Sequence, residues 1–210
     1  TAKLGQRTNT SDADGEIVET KPVTANEEDI KLAIEQFKGP INQIPSMFSA
    51  LKHEGKPLYY YARQGIDIPR PAREITIHSI DWQGLEDDQL SLNVSCSKGT
   101  YIRTLIDDLG QVLGCGAHVI VLRRTRVADY EASQMYTFEE LDKIAGNLST
   151  NDEEETDFSE LDSLLIPMDT PILTLPVIEL NDHDTGYFQQ GRNWTINNEF
   201  TCEQLVRVYQ

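Results

Sequence analysis

Residues 97–104 read Ser-Lys-Gly-Thr-Tyr-Ile-Arg-Thr and join two segments of different periodicity. Before them, apolar and polar residues alternate from Leu90 to Cys96, which predicts a half-buried strand. After them, apolar residues recur at helical spacing and predict one buried helix stripe, formed by Ile102, Leu105, Ile106, Leu109 and Leu113. The chain therefore passes from a strand to a helix through a short turn, a pattern that is typical of a mixed α/β protein.

The turn itself has two interpretations. Gly99 allows a sharp turn or a close approach to a ligand, and backbone N–H groups at the helix start favour a phosphate or a carboxylate. Lys98 and Arg103 add positive charge, and Tyr101 adds a ring that can stack on a base. The alternative is an ordinary turn, with Tyr101 in the core and Arg103 in solvent.

Length and composition limit the class of protein. The 210 residues, 39% of them hydrophobic, suffice for one good-sized domain or for one domain with a small module. No apolar stretch approaches membrane-spanning length. Three cysteines without a C-x-x-C pair favour a reduced cytosolic protein, and four scattered histidines give no metal-ligand spacing. The N-terminus lacks an apolar signal region and an initiator Met, so we expect the chain to begin inside a longer protein.

The net charge of −17 argues at first sight against a nucleic-acid partner. The charge is unevenly distributed, however. Residues 151–170 hold eight acidic residues and no Lys or Arg, whereas residues 41–80 hold five basic and three acidic residues. Arg123, Arg124 and Arg126 form a further basic cluster. The sequence is therefore compatible with a positive face on an acidic protein.

Residues 45–65 mix aromatic with basic side chains, including Lys52, Lys56, Arg63 and three consecutive tyrosines at positions 59–61. Base stacking combined with phosphate neutralisation uses this mixture. The alternative is a short amphipathic helix with ordinary surface charges. Three consecutive tyrosines cannot all face a core from one helix, so we expect at least one of them to point outward.

Other local signals give an outline of the elements in the first 122 residues. Within residues 3–18, the polar run at 7–15 predicts a turn-rich loop between strands, and the alternative to a functional role is an ordinary solvated loop. Thr24 and Glu27 form a capping box that opens a helix, which Gly39-Pro40 ends. Residues 75–82 predict a strand with a bulge at His78-Ser79, and Glu86-Asp87-Asp88 predicts a hairpin turn. Residues 119–122 predict a short buried strand.

The C-terminal part gives weaker signals. Thr137 and Glu140 form a second capping box, which opens a short helix. Residues 147–163 are acidic and predict a partly mobile connection, and residues 164–169 are expected to return to the core. Residues 171–210 predict short strands at 173–180, around 194–196 and at 205–209, without a strong helix. These strands suggest the start of a small β module.

Four blocks of sequence follow one another in a specific order: residues 4–15 (Leu-Gly-Gln-Arg-Thr-Asn-Thr-Ser-Asp-Ala-Asp-Gly), 44–52 (Ile-Pro-Ser-Met-Phe-Ser-Ala-Leu-Lys), 96–104 and 113–124. Together they resemble the TruB family of bacterial tRNA pseudouridine synthases, which isomerise the T-loop uridine. The resemblance covers most of residues 1–170 and implies a mixed, mostly antiparallel sheet flanked by helices. It implies a catalytic domain at 1–170 with an RNA-gripping insertion at 45–73, followed at 171–210 by an incomplete PUA-like RNA-binding domain.

The resemblance also implies roles for single residues. Tyr101 matches the tyrosine that lies against the target base, and Arg103 matches the arginine that pairs with the catalytic aspartate. Asp12 matches an aspartate in the network around Arg103, and Leu122 matches an apolar residue that packs on the base. In the insertion, Lys52, Lys56 and Arg63 are expected to bind RNA.

The resemblance implies an enzyme that uses neither metal nor organic cofactor. The expected partner is the T-stem loop of tRNA, and the protein is expected to be a cytoplasmic monomer. One departure is serious: the family's nucleophilic aspartate lies in a Gly-x-Leu-Asp-type motif that nothing in this sequence matches. Asp12 is no substitute, because its Arg-Thr-x-Thr-x-Asp context matches a different motif. We therefore expect an internal fragment without turnover of its own. The alternative function is a non-catalytic RNA-binding or tRNA-folding protein on the same scaffold.

Overall fold

The computed structural model describes residues 1–146, 158–192 and 204–210. The chain divides into two compact units, Thr1–Arg123 and Arg124–Gln210. The predicted domain boundary after residue 170 falls inside the second unit and stays a prediction. Within the described ranges, no helix combines the length and apolar character that crossing a membrane requires.

The first unit is built on antiparallel strands. Their bounds are β1 Ala2–Leu4, β2 Gln6–Thr8, β3 Ile17–Thr20, β4 Gly39–Gln43, β5 Lys52–His53, β6 Lys56–Pro57, β7 Arg73–Glu86, β8 Gln89–Cys96 and β9 Ala117–Val119. Five of them form one sheet in the order β4-β7-β8-β1-β9, and every neighbouring pair in it is antiparallel. The pairs β2-β3 and β5-β6 form separate two-stranded ribbons.

The long central hairpin of the sheet follows the predicted pattern. Strand β8 confirms the alternation before residue 97, and β7 carries the predicted bulge between Ile77 and Ser79. Asp87 and Asp88 form the predicted turn, each with a positive φ, a conformation that aspartate tolerates better than most residues. The predicted mixed α/β class with a mostly antiparallel sheet is confirmed.

Three helices belong to the first unit: α1 Glu27–Glu35, α2 Leu58–Ala62 and α3 Ile102–Val112. The stripe predicted for α3 is confirmed, since Leu105, Ile106 and Leu109 are buried in the core. They join a cluster of buried side chains from the sheet and from α1, namely Leu4, Ile30, Ala33, Ile34, Ile77, Ile80 and Leu90. This core fixes the start of α3, where the turn at 97–101 ends.

Two predictions in this unit were wrong. Helix α1 is capped by Asn26, which shares a capping box with Asp29, and not by Thr24 with Glu27. Asparagine is a stronger N-cap residue than threonine, which explains why the helix begins after Asn26 and not after Thr24. The buried strand predicted at 119–122 ends at Val119 instead, and Leu122 is 58% exposed. An apolar run alone does not show where sheet partners stop.

Helix α3 lies unusually close to strand β9. A Cβ atom added at Gly110 would collide with the backbone of Gly116 and Ala117. Gly116 has a φ of +77°, and its amide donates to the carbonyl of Gly110 at 2.8 Å. Glycine at position 110 therefore permits a helix-to-strand distance that no other residue allows.

The second unit contains small elements. They are β10 Arg126–Val127, β11 Tyr130–Glu131, α4 Phe138–Gly146, α5 Ser159–Asp162, β12 Val177–Glu179, α6 Asp182–Gln189 and β13 Arg207–Tyr209, with 3-10 turns at Ala132–Gln134 and Thr170–Ile172. Strands β12 and β13 pair in parallel. The capping box of Thr137 and Glu140 is confirmed by reciprocal hydrogen bonds at 2.7 and 3.2 Å.

The second unit differs from the predictions at residues 164–169 and at α6. Residues 164–169 do not return to the core as predicted, because Leu165 is 74% and Met168 99% exposed. Helix α6 was missed; its apolar pattern is weak, but Asn181 caps it and acidic residues fill its first turn. The expected strand around residues 194–196, and most of the acidic connection at 147–163, lie outside the described residues.

Candidate active site

The central contact of the candidate site joins the start of α3 to the loop between β2 and β3. The Arg103 guanidinium donates through Nη1 to Oδ2 of Asp12 and through Nη2, at 3.3 Å, to the carbonyl of Phe48. Both charged side chains are partly buried, with 33% of Arg103 and 22% of Asp12 exposed. The apolar stripe of α3 predicts that Arg103 lies on a face of the helix that is turned away from the core. In the structure, the Asp12 carboxylate contacts Arg103 on that face.

Asp12 is held by its own loop. Its Oδ1 accepts hydrogen bonds from the Thr10 hydroxyl at 2.7 Å and from the amide of Asp14 at 3.1 Å. Its carbonyl accepts from the Thr8 hydroxyl at 2.7 Å, and its backbone forms an isolated bridge with Val119 at the end of β9. The polar run predicted as a loop between strands is therefore an ordered turn that presents a carboxylate.

The surroundings of Asp12 favour its ionised form. Partial burial raises the pKa of this carboxyl, but the Thr10 hydroxyl, the Arg103 guanidinium and the Asp14 amide outweigh burial and hold the pKa below its usual range. Asp12 is thus a charged partner for Arg103 at neutral pH. An ionised partner offsets the unfavourable position of an arginine at a helix N-terminus.

Tyr101 is the N-cap residue of α3, and its side chain makes no capping hydrogen bond. Its backbone is held instead by Gln43, at the end of strand β4: the Tyr101 amide donates to Oε1 at 2.8 Å, and Nε2 donates to the Tyr101 carbonyl at 3.1 Å. Gln43 is 3% exposed. Sequence reasoning missed it, although the period of two places it on the same face of β4 as Ile41.

A second ion pair on α3 was also missed. Arg7 in β2 makes two bonds to Asp107, Nε to Oδ1 at 2.7 Å and Nη2 to Oδ2 at 3.0 Å. The hydrogen bonds that Arg7 donates to the Asp107 carboxylate raise the pKa of Arg7 above its ordinary value. Asp107 lies four residues after Arg103, so the same helix is tied at two successive turns to the segment that contains Asp12.

The predicted RNA-gripping insertion folds into a small ribbon, β5-β6, followed by α2. Tyr59 and Tyr60 are 40% and 41% exposed, which confirms that at least one of the three tyrosines points outward. The Lys56 ammonium lies 4.4 Å from the centre of the Tyr60 ring, and the Arg63 guanidinium carbon lies 5.4 Å from that of Tyr59. Lys52 is exposed on β5.

The structure brings some predicted site residues together and leaves others apart. Arg103 contacts Asp12, and Tyr101 lies two residues before Arg103. The Phe48 carbonyl, near the start of the insertion at 45–73, accepts a hydrogen bond from Arg103. Leu122 lies three residues beyond Val119, the bridge partner of Asp12, and is exposed. Lys52, Lys56 and Arg63 are exposed on the insertion, and among the described residues no hydrogen bond or ion pair joins them to Arg103 or Asp12.

Comparison with known proteins gives matches along most of the chain. Residues 1–102 match the model of the N-terminal domain of TruB family pseudouridylate synthases, and residues 103–172 match the model of the tRNA pseudouridylate synthase B C-terminal domain. The tRNA pseudouridine synthase B of Shewanella sp. (strain ANA-3) is 50% identical over 209 residues, which cover 99% of this chain and 65% of that protein. The corresponding protein of Shewanella baltica (strain OS223) is 47% identical over 211 residues, with the same coverage of each chain.

Solved structures show the same fold at lower identity. A Cbf5-Nop10-Gar1 complex matches with a TM-score of 0.61 and 23% identity, over 91% of this chain and 48% of that chain. An H/ACA RNP bound to a substrate RNA containing 2'-deoxyuridine matches with a TM-score of 0.54 and 21% identity, over 81% and 44% of the two chains. The chain spans 65% of the length of the Shewanella relatives. Because family models for both domains match it and the bacterial relatives are about half identical, the chain belongs to the TruB family of pseudouridylate synthases.

Proposed function

We propose that the full-length protein converts the T-loop uridine of tRNA into pseudouridine. In this proposal the chain supplies the part of the site that grips the RNA and orients the base. The observation that carries the proposal is the pair of Arg103 and Asp12 beside Tyr101 at the start of α3. Membership of the TruB family and the similarity to the tRNA pseudouridine synthases B of Shewanella support the substrate class.

Arg103 has donors left for a second carboxylate. A guanidinium carries five N–H groups, and the contacts among the described residues engage Nη1 and Nη2 once each. In the proposed mechanism, a remaining N–H group pairs with the nucleophilic aspartate that the family supplies from its Gly-x-Leu-Asp-type motif. The pairing keeps that aspartate ionised and aims its oxygen, while Asp12 keeps Arg103 in place.

The proposed reaction is an isomerisation, so nothing is added to or lost from the nucleotide overall. The target uridine leaves the stack of the loop, because its reacting atoms are otherwise covered. The aspartate attacks C1′ of the uridine and displaces N1, which frees the base to turn. C5 of the base then attacks C1′ and displaces the aspartate, C5 loses its proton, and N1 takes up a proton. Tyr101 and Leu122 would hold the freed base between a ring and an apolar side chain.

RNA binding is assigned to the insertion. Lys52, Lys56 and Arg63 are exposed there, and two of the three lie over exposed tyrosine rings. Exposed tyrosine rings are of the kind on which bases stack, and the neighbouring cations neutralise phosphates. This local arrangement supports RNA binding by a protein whose net charge is −17.

We further propose that the protein works as a cytoplasmic monomer and needs neither metal nor organic cofactor. The family resemblance, together with the lack of metal-ligand spacing in the sequence, supports this part of the proposal. Turnover by the full-length protein in the presence of a chelator is the expected result. Activity that chelation abolishes and one specific metal restores would contradict it.

A tritium-release assay tests the proposed function. A T-arm hairpin RNA with tritium at C5 of every uridine is incubated with the full-length protein, since pseudouridine formation releases the C5 hydrogen to water. We expect release of one tritium per RNA, and no release from a hairpin whose target uridine is replaced by cytidine. Tight binding of the hairpin without any release would favour the alternative, a non-catalytic RNA-binding or tRNA-folding protein.

The same assay addresses the missing nucleophile. The 210-residue chain alone is expected to bind the hairpin and release no tritium, because no match to the nucleophile motif occurs in its sequence. Release by this chain alone would show that another of its carboxylates acts as the nucleophile. Asp12→Asn and Asp108→Asn variants of the chain would then identify the carboxylate.

A further inference from the structure

A buried glutamine holds the backbone of Tyr101 from a distant part of the sequence. Gln43 is 3% exposed, and its amide group makes two hydrogen bonds to one residue: it accepts from the Tyr101 amide at 2.8 Å and donates to the Tyr101 carbonyl at 3.1 Å. These contacts span 58 positions of the chain. The amide orientation is unambiguous, because a backbone N–H only donates and a backbone carbonyl only accepts.

The contact lies where α3 lacks a cap of its own. Tyr101 is the N-cap residue with extended backbone (φ −100°, ψ 103°), and its side chain makes no capping bond. Its carbonyl accepts from the Leu105 amide at 3.0 Å as the first helical bond, and also from Gln43. Gln43 therefore fixes the residue at which extended chain becomes helix, and its bonds leave the Tyr101 ring free.

Gln43 is itself rigidly placed. It is the last residue of β4, and its backbone pairs with Arg73 in the long strand β7. The insertion begins two residues later, and its Phe48 carbonyl accepts from Arg103. The end of β4 thus adjoins both Tyr101 and the root of the insertion.

We propose that Gln43 is a positioning residue for the isomerisation: its side-chain amide sets the place of Tyr101 against the target base. The inference rests on the proposed function. Among side chains in their usual state at neutral pH, only glutamine and asparagine carry a donor and an acceptor on one planar amide group, and asparagine is shorter by one methylene. A displacement of about 1 Å at a residue that orients substrate can cost on the order of 100-fold in rate.

Two variants of the full-length protein separate positioning from simple stabilisation. Gln43→Met keeps the length of the side chain and removes both bonds. Gln43→Glu keeps the acceptor, but when ionised it sets a carboxylate oxygen against the Tyr101 carbonyl; when protonated it regains a donor. Burial raises the pKa of such a carboxyl, so protonation falls within an accessible range. Gln83→Glu, at an exposed position on β7, is the matched control.

Folding is checked by circular dichroism, and single-turnover rates and RNA affinity are measured between about pH 5.5 and pH 8. For folded Gln43→Met we expect a rate about 10- to 100-fold below wild type, with RNA affinity changed by less than about threefold. For Gln43→Glu we expect a similar loss at about pH 8. Its rate relative to wild type should recover as the pH falls, whereas Gln83→Glu should match wild type throughout.

Several outcomes would overturn the inference. One is wild-type turnover by either folded variant at about pH 8. Another is a slow Gln43→Glu variant whose rate relative to wild type does not change with pH, and a third is failure of both variants to fold, which would make Gln43 purely structural. An inactive wild-type protein is a different result, because it removes the proposed function and this inference together.

Discussion

Arg7 and Asp107 form a two-bond ion pair between strand β2 and helix α3, with distances of 2.7 and 3.0 Å. Glu19 lies 3.8 Å from the same guanidinium, and Asp108 follows Asp107 on the helix. This pair joins two segments, one containing Asp12 and the other Arg103. The two segments that carry the candidate site are therefore joined by a second contact, which lies outside the site.

A double-mutant cycle on Arg7 and Asp107 should show coupling. The side chains are 30% and 14% exposed, so solvent screens the pair only in part. We expect a coupling energy of about 1 kcal/mol from the free energies of unfolding of Arg7→Met, Asp107→Asn and the double variant. Arg7→Met should be the more damaging single change, because it leaves adjacent carboxylates unneutralised. The cycle for Lys31 and Glu27, an exposed pair, should give less than about 0.5 kcal/mol.

Asp108 should destabilise the fold at neutral pH. Burial, followed by the charge of Asp107, raises the pKa of the Asp108 carboxyl. A raised folded-state pKa means that the folded form binds the proton more tightly than the unfolded form. The contribution of Asp108 to the free energy of unfolding is therefore most favourable below the ordinary aspartate pKa. That stability is lost as the pH rises through the folded-state pKa. We expect Asp108→Asn to stabilise the protein at pH 7 by less than about 1 kcal/mol, since solvent screens a partly exposed carboxyl.

Unfolding curves of Asp108→Asn and wild type across the acid range check this prediction. The difference between the two proteins should shrink toward zero as the pH falls below about 3.9. Asp14→Asn, at an exposed position, serves as the control. A stabilisation that does not change with pH would contradict the prediction, because it would mean that Asp108→Asn acts through packing and not through the loss of a charge.

Charge reversal in the insertion should weaken RNA binding and flatten its salt dependence. Lys52→Glu combined with Lys56→Glu removes two exposed cations of the insertion, of which Lys56 lies over the ring of Tyr60. We expect at least about a tenfold loss of affinity for a T-arm hairpin, and a slope of log K against log salt that is smaller by about 1.4–1.8. The matched control reverses Lys31 and Lys38 on and after α1, with the same change in net charge. Equal slopes for the two double variants would contradict RNA binding by the insertion.

The sequence predicted those parts of the fold in which local pattern and tertiary packing agree. The alternation in β8, the bulge in β7 and the apolar stripe of α3 are periodic, and each was found where expected. Helix α6 has little apolar periodicity in its sequence, so a periodic pattern could not reveal it. This agrees with the structure, in which Thr185 is the one residue of α6 that is buried. The end of β9 depends on where its partner strand β1 stops, which no local signal records.

The candidate site was predictable only in part for a related reason. A charged residue on a non-core face of α3 indicated that Arg103 needs a partner, but its partner Asp12 lies 91 positions away. The family resemblance supplied that link, and the charge pattern alone did not. Gln43 and Asp107 went unnoticed, because a single polar residue in a strand or helix has no pattern that distinguishes a buried contact from a solvated one.

Gly110 should tolerate no side chain. A Cβ atom there would meet the backbone of Gly116 and Ala117, which cannot move aside as a flexible side chain can. We expect Gly110→Ala to lower the free energy of unfolding by about 1–3 kcal/mol through overpacking, although alanine favours the helix by about 1 kcal/mol. Gly186→Ala, within α6 and with open space around it, should be neutral or stabilising. Equal stability of Gly110→Ala and wild type would contradict the close approach of α3 to β9.

Arg103→Lys should separate binding from turnover. A lysine keeps the charge, but its ammonium cannot hold a carboxylate with the planar fork of a guanidinium or contact Asp12 and the Phe48 carbonyl together. Loss of preorganised contacts to a reacting group typically costs on the order of 10²–10³ in rate. We therefore expect the full-length variant to fold normally, to bind the T-arm hairpin within about threefold of wild type, and to release tritium about 100- to 1,000-fold more slowly.

The control for Arg103→Lys is Arg192→Lys, in the second unit, where the guanidinium carbon lies 5.5 Å from the ring centre of Tyr187. It should leave single-turnover rates unchanged. Asp12→Asn adds a second test, because it removes the charge that holds Arg103 while leaving the guanidinium in the chain. If Arg103 acts by orienting the nucleophile, Asp12→Asn should slow turnover less than Arg103→Lys does. Near-wild-type release by Arg103→Lys would instead make the pair with Asp12 a structural contact between α3 and its neighbouring loop.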